Sequence, residues 1–217
     1  MPRSTSIVSA VIVSALAAAL PAAGQLVVDD FSTTQSVAHS TINTSTTSEI
    51  AGAGLLGGVR AIRLAQGASA GLLAGTVAGN TLAMSTTTLG DLEVWWDGVD
   101  DDGFTPTGLG GMDLTNGGSR DRFRLQVLTN DRPTELMRLQ IWMNGADRCE
   151  AQFQMPTGTL EVLFSAFTSC TGAATTATAP QAAGAVFFRT VNRPGAWSFT
   201  LGSVQGAPVE LIYFAVD

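Results

Sequence analysis

Polar and apolar residues alternate along much of the chain after position 25, the period of strands with one wet face and one dry face. The clearest run is RCEAQFQM. Cys149, Ala151, Phe153 and Met155 fall on one side, and Arg148, Glu150, Gln152 and Gln154 on the other. RFRLQVL repeats the pattern, with Phe123, Leu125 and Val127 opposite Arg122, Arg124 and Gln126. In ELMRLQIWMN the inward set is Met137, Leu139, Ile141 and Met143, which turns Arg138, Gln140 and Trp142 outward. Further strands are predicted at 26–31, 59–64, 92–96, 160–164, 186–191, 198–204 and 210–216. MPTGT is predicted to fold 148–155 back on 160–164 as a hairpin, and NRPGA to do the same between 187–191 and 197–201. Helical periodicity is essentially absent here, and 173–185, Ala-rich but broken by Thr and Pro, reads as a loop. Many short amphipathic strands predict an all-β fold: an antiparallel two-sheet β-sandwich, jelly-roll-like.

Three segments are low in complexity, 33–49, 67–79 and 171–184. They are expected to be surface loops or edge strands, and they show no regular Thr repeat of the kind an ice-binding ladder needs. Asn43-Thr44-Ser45 is a glycosylation sequon.

The first residues change the picture of the compartment. Arg3 precedes an apolar stretch over 7–20, Pro21 breaks it, and Ala22 and Gly24 supply the small residues of a cleavage site. That pattern predicts a signal peptide over 1–24, and the stretch is shorter than the roughly 20 residues of a membrane span. Residues 25–217 then form a single sandwich domain, secreted to an extracellular or periplasmic space, without a membrane span. The chain ends just after VELIYFAV, which predicts release rather than anchoring.

Net charge is −7, and all eleven cations are arginine. An acidic chain without a basic cluster is not built for nucleic acid. Cys149 and Cys170 are the only cysteines, and in an oxidising compartment they are expected to form a disulfide. Cysteine catalysis and zinc both want histidine, and the single one, His39, lies in a Ser/Thr tract expected to be a surface loop.

Four segments resemble a known group. VVDDFSTTQ, GLLGGVRAIRL, WWDGVDDDG and GLGGMDLT occur in this order. The chain thereby resembles a group of secreted bacterial all-β proteins with an Asp-Asp-Phe opening strand and a Gly-Leu-Gly-Gly-x-Asp-Leu-Thr loop. Many members of that group end in a PEP-CTERM sorting tail, which this sequence lacks. More loosely, the architecture is similar to jelly-roll carbohydrate-binding modules. The resemblance implies the fold and the compartment rather than an activity.

Three chemistries compete for the remaining polar residues. Aspartates in DGVDDDG could hold a structural Ca²⁺ through Asp97, Asp100 and Asp102, with Asp113 nearby. The EF-hand spacing is excluded, because aligning on Gly103 puts Gly98 at its first position and Leu109 at its last. No other cofactor is expected. A glycosidase would use Asp91 and Glu93, about 6.6 Å apart along one strand face, although neighbours on one strand do not flank a bond from opposite sides. Glycan binding needs flat aromatics beside forked donors and acceptors. Trp95, on the opposite strand face from Leu92, Val94 and Trp96, and Trp142 are the candidate stacking platforms, with Glu93, Arg122, Arg124, Gln126, Arg138 and Gln140 around them. The leading expectation is a non-catalytic module for glycan or another extracellular polymer. A structural or assembly subunit, which self-associates through exposed aromatics or edge strands, is the alternative, and a glycoside hydrolase comes third.

Overall fold

The computed structural model describes residues 25–101, 103–191 and 195–209. The predicted signal peptide, Asp102, residues 192–194 and the predicted strand at 210–216 lie outside the described residues.

The strands, in chain order, begin with β1 (Leu26–Asp29), β2 (Gln35–His39), β3 (Ser45–Ala51), β4 (Val59–Gln66) and β5 (Leu73–Ala78). They continue with β6 (Thr81–Thr86), β7 (Gly90–Trp96), β8 (Arg120–Asn130), β9 (Leu136–Asn144) and β10 (Asp147–Gln154). The last are β11 (Gly158–Leu163), β12 (Ser169–Thr171), β13 (Ala185–Thr190) and β14 (Trp197–Pro208). One sheet runs β11-β8-β14-β6-β5-β2, with β1 also on β14; the other runs β12-β10-β9-β13-β7-β4-β3. Every pairing is antiparallel. The chain crosses repeatedly from one sheet to the other, so the fold is the expected jelly-roll-like β-sandwich. Among the described residues no helix is long and apolar enough to cross a membrane.

Alternation does what it predicts on β8, where Phe123, Leu125 and Val127 are buried between the sheets and Arg122, Arg124 and Gln126 are turned away. It cannot say which sheet a strand joins, and both predicted hairpins are wrong for that reason. β10 pairs with β9 and β12, whereas β11 pairs with β8 in the opposite sheet. The MPTGT segment is therefore an arch between sheets, helped by Pro156, which has no N–H to give a ladder. Likewise β13 and β14 lie in different sheets. Tight two-residue hairpins instead join β9 to β10 through Gly145 and Ala146 and β5 to β6 through Gly79 and Asn80 at φ 58° and 61°, the latter the left-handed pair a type I′ turn requires.

Of the low-complexity segments, 33–49 contributes edge strands as expected, since β2 and β3 end their sheets, but β5, from 67–79, is an interior strand between β6 and β2. His39 is not a surface-loop residue. It is buried on β2, its Nε2 3.0 Å from the Thr41 carbonyl oxygen and 3.0 Å from the Thr44 hydroxyl. Cys149 and Cys170 form the expected disulfide, joining directly opposed residues of β10 and β12. Closing a loop of this length restricts the unfolded chain by about 3 kcal/mol.

The four segments that carry the resemblance meet in space. Arg60, with 0% of its side chain exposed, donates from Nη1 to both oxygens of Asp29 at 2.9 and 3.1 Å. Its Nε donates to Gln35 Oε1 (2.8 Å) and its Nη2 to the Thr33 carbonyl (2.6 Å). Asp29 also accepts from Trp96 Nε1 (2.9 Å) and the Phe31 N–H (2.8 Å). The glycines beside them permit close backbone packing. A Cβ on Gly57 would lie 2.4 Å from Leu109 and 2.8 Å from Gly98 Cα, and one on Gly108 would lie 2.0 Å from the Asp97 carbonyl oxygen.

Candidate functional site

Strand β7 separates two interiors. Trp96 faces the main core, while Trp95 points the other way and belongs to a second, smaller cluster with Ala61 and Phe187. That cluster lies on the outer face of the sheet containing β7, and the register of neighbouring strands shows what shares this face. Across one row stand Arg63, Glu93, Arg189, Arg138 and Gln152. Across the next stand Ala61, Trp95, Phe187, Gln140 and Glu150, and beyond them Trp142 opposes Arg148.

Five of the predicted contact residues, Glu93, Trp95, Arg138, Gln140 and Trp142, therefore come together on one face. Arg122, Arg124 and Gln126 do not join them. They lie on β8, on the outer side of the opposite sheet. There Glu161 of β11 binds Arg122 at 2.5 Å and Arg124 at 2.7 Å. Polar alternation identified that face correctly but could not assign it to a sheet.

Trp95 leaves the main core without reaching solvent, with only 2% exposure. Phe104, from the loop after β7, lies edge-on to it at 5.8 Å between centroids, to Phe187 at 5.2 Å and to Trp142 at 5.1 Å. Trp95 and Phe187 stack nearly parallel at 5.7 Å. Asp97 holds this loop in place. Its Oδ2 accepts the Thr105 N–H (2.7 Å) and its Oδ1 the Val99 N–H (3.3 Å). Burial pushes the Asp97 carboxyl up from its ordinary value, outweighing the opposite pull of those two N–H donors.

Those bonds occupy both oxygens of one predicted calcium donor. Asp113 is committed elsewhere, accepting from the Thr115 N–H and hydroxyl and from the Gly117 N–H. Hydrogen bonding to the Thr115 side chain is the main reason its carboxyl sits low. Asp100 is exposed, and Asp102 lies outside the described residues. Among the described residues no three His, Cys, Asp or Glu side chains gather as a metal site.

The polar half of the face is a connected network. Gln140 Nε2 donates to Glu150 Oε2 (2.9 Å), Gln152 Nε2 to Glu150 Oε1 (3.2 Å), and Trp142 Nε1 to Gln140 Oε1 (3.1 Å). The Arg148 guanidinium lies over the Trp142 ring at 4.6 Å. Glu93 is held between Arg63 (2.6 Å) and Arg189 (3.6 Å), so it is not a free acid or base beside Asp91. Arg63 also lines a cleft of about 280 Å³ with Asn43, Thr44, Ser45, Ala65 and Gln66.

Sequence reasoning missed Phe104, Phe187, Arg63 and Arg189 as parts of this face. Arg63 was legible, lying opposite Ile62 and Leu64 in alternation. Phe187 was not, because VFFRT is continuously apolar up to its arginine.

No protein-family model matches the sequence, and no curated protein matches it significantly. Among solved structures, the chain is similar to the family 11 carbohydrate-binding module of a cellulosomal cellulase of Clostridium thermocellum. Identity is 12% over 86% of this chain and 95% of that one, with TM-score 0.43. It is also similar to a family 11 module from Clostridium thermocellum in complex with β-1,3-1,4-mixed-linked tetrasaccharide. That match has 11% identity over 85% of this chain and 96% of the other, with TM-score 0.42. At these scores the likeness supports no residue correspondence.

Proposed function

We propose that the protein is a secreted, non-catalytic module that binds glycan on the outer face of the β12-β10-β9-β13-β7-β4-β3 sheet. One observation carries this reading: an indole and a file of planar hydrogen-bonding groups, Trp142, Gln140, Glu150 and Gln152, are linked on a single face. Indole surface suits the C–H side of a pyranose, and amide and carboxylate edges suit its hydroxyls. Trp142, half-buried, is the stacking ring; Trp95 supports it from beneath Phe104 rather than touching sugar. A pyranose takes its place on Trp142 by exchanging with the Arg148 guanidinium, a contact worth only about 0.5–1 kcal/mol near solvent.

Glycan-array and pull-down binding test this directly. Trp142→Ala should lose the retained glycans while still unfolding in one cooperative transition, and those glycans should be recovered uncleaved. Binding unchanged by Trp142→Ala, or no glycan retained by the unmodified protein, refutes the proposal.

A further inference from the structure

Along the row Arg63, Glu93, Arg189 and Arg138, charges alternate until the last step, where two arginines stand directly opposed on β13 and β9. Like charges opposed across a sheet repel. Each arginine has a carboxylate only on its far side. Arg189 Nη1 is 3.6 Å from Glu93, and Arg138 Nε is 3.3 Å from Glu150. Neither contact is a hydrogen bond; Arg138 Nε and Arg189 Nε are buried and donate to no protein acceptor. The like-charge pair therefore has no anion hydrogen-bonded to it. Guanidinium groups present planar forks that match a carboxylate in a bidentate manner. Their Nε atoms lie below the surface, but the two side chains keep 34% and 23% exposure, so a ligand can reach their outer parts.

We infer that this face takes an acidic polysaccharide, with the carboxylate of a uronic acid residue seated over the Arg189–Arg138 pair. The inference rests on the glycan-binding reading and adds the substrate class to it. A neutral hydroxyl accepts from one such donor but leaves the two cations opposed. The net charge of −7 makes indiscriminate adhesion to polyanions unfavourable, so polyuronate binding has to be local to these side chains.

Polygalacturonate and its methyl ester share a backbone and differ in the carboxylate, and calorimetric titration of the protein with each isolates that group. The free acid should bind at least about tenfold more tightly, the scale of one charge-assisted hydrogen bond. Arg189→Gln and Arg138→Gln should abolish the preference with thermal midpoints retained, and Arg189→Lys, which keeps charge but loses the fork, should keep part of it. Trp142→Ala should weaken whichever polymers bind. Equal binding of acid and ester, a preference that survives both Gln variants, or equally tight binding of a sulfated polymer overturns the carboxylate assignment. Equal binding that still depends on Trp142 overturns this inference alone, whereas no binding to these polymers or to neutral glycans overturns the glycan reading with it.

Discussion

Asp29 and Arg60 offer the sharpest test of how this sandwich is held together. Burial pushes the Asp29 carboxyl up from its ordinary value, ahead of the opposing pulls of Arg60 and Trp96. Such a pair is weak evidence for net stabilisation, yet breaking it is costly. In Asp29→Asn, the remaining partners of Arg60 are the neutral Gln35 and Thr33 oxygens, so a full charge stays buried. That costs about 3–5 kcal/mol. The new amide also faces donors it cannot accept from, those of Arg60 or Trp96, and one unsatisfied donor adds about 1–3 kcal/mol. A loss near 5 kcal/mol is a large part of the roughly 5–15 kcal/mol typical of a folded domain. Arg60→Met should be comparably damaging, because it strands a buried carboxylate. The double variant Asp29→Asn/Arg60→Met should be less destabilised than the two single losses combined, by about 2–3 kcal/mol of coupling. Urea denaturation of the disulfide-intact protein, followed by tryptophan emission, measures all three. Strict additivity, or a loss below about 1 kcal/mol for Asp29→Asn, would show that the pair is not the bracket described above.

Removing the ring that covers Trp95, in Phe104→Ala, should cost about 1–2 kcal/mol. It should also raise acrylamide quenching and red-shift the emission; unchanged quenching would mean that Phe104 does not keep water from Trp95. On the other sheet, the Arg124 and Arg122 forks hold the Glu161 carboxyl below its ordinary 4.5. A depressed carboxylate stabilises fully above that ordinary value and loses its contribution as pH falls through the folded one. Glu161→Gln should therefore melt lower than the unmodified protein at pH 7, by about 2–4 °C for an exposed network worth at most about 1 kcal/mol. The gap should close below pH 4.5; a gap constant down to pH 3 refutes the assignment.

Much of the fold was legible because two-residue periodicity reports burial directly. Phe123, Leu125 and Val127 could be placed inward without knowing any neighbour. The same signal failed where both strand faces carry Ser and Thr, as in β3, and where a buried charge interrupts an apolar row, as Arg60 does beside Ile62 and Leu64. Asp29, its partner, is 31 positions away, and no local pattern links them. The β5–β6 hairpin did have a readable sign, Gly79-Asn80 between LAGTVA and TLAMST. For the site, alternation put Trp95 on the right side of β7, but the covering ring comes from a loop without a period. Arg122 and Arg124 were read as polar correctly and grouped with the wrong face, since alternation counts sides of a strand and not sheets.

The adjacency of Trp95 and Trp96 makes the two faces of the sheet independent of each other. One ring is tied into Asp29 and Arg60, the other underlies the outer surface, and a single peptide bond separates the two duties. The four segments that meet around Asp29 and Arg60 build the internal bracket, and the residues of the outer face take no part in it. Residues such as Arg138, Gln140, Arg189 and Gln152 can be exchanged without disturbing a single bond of the bracket. The outer face can therefore change its chemistry while the sandwich beneath it keeps its shape.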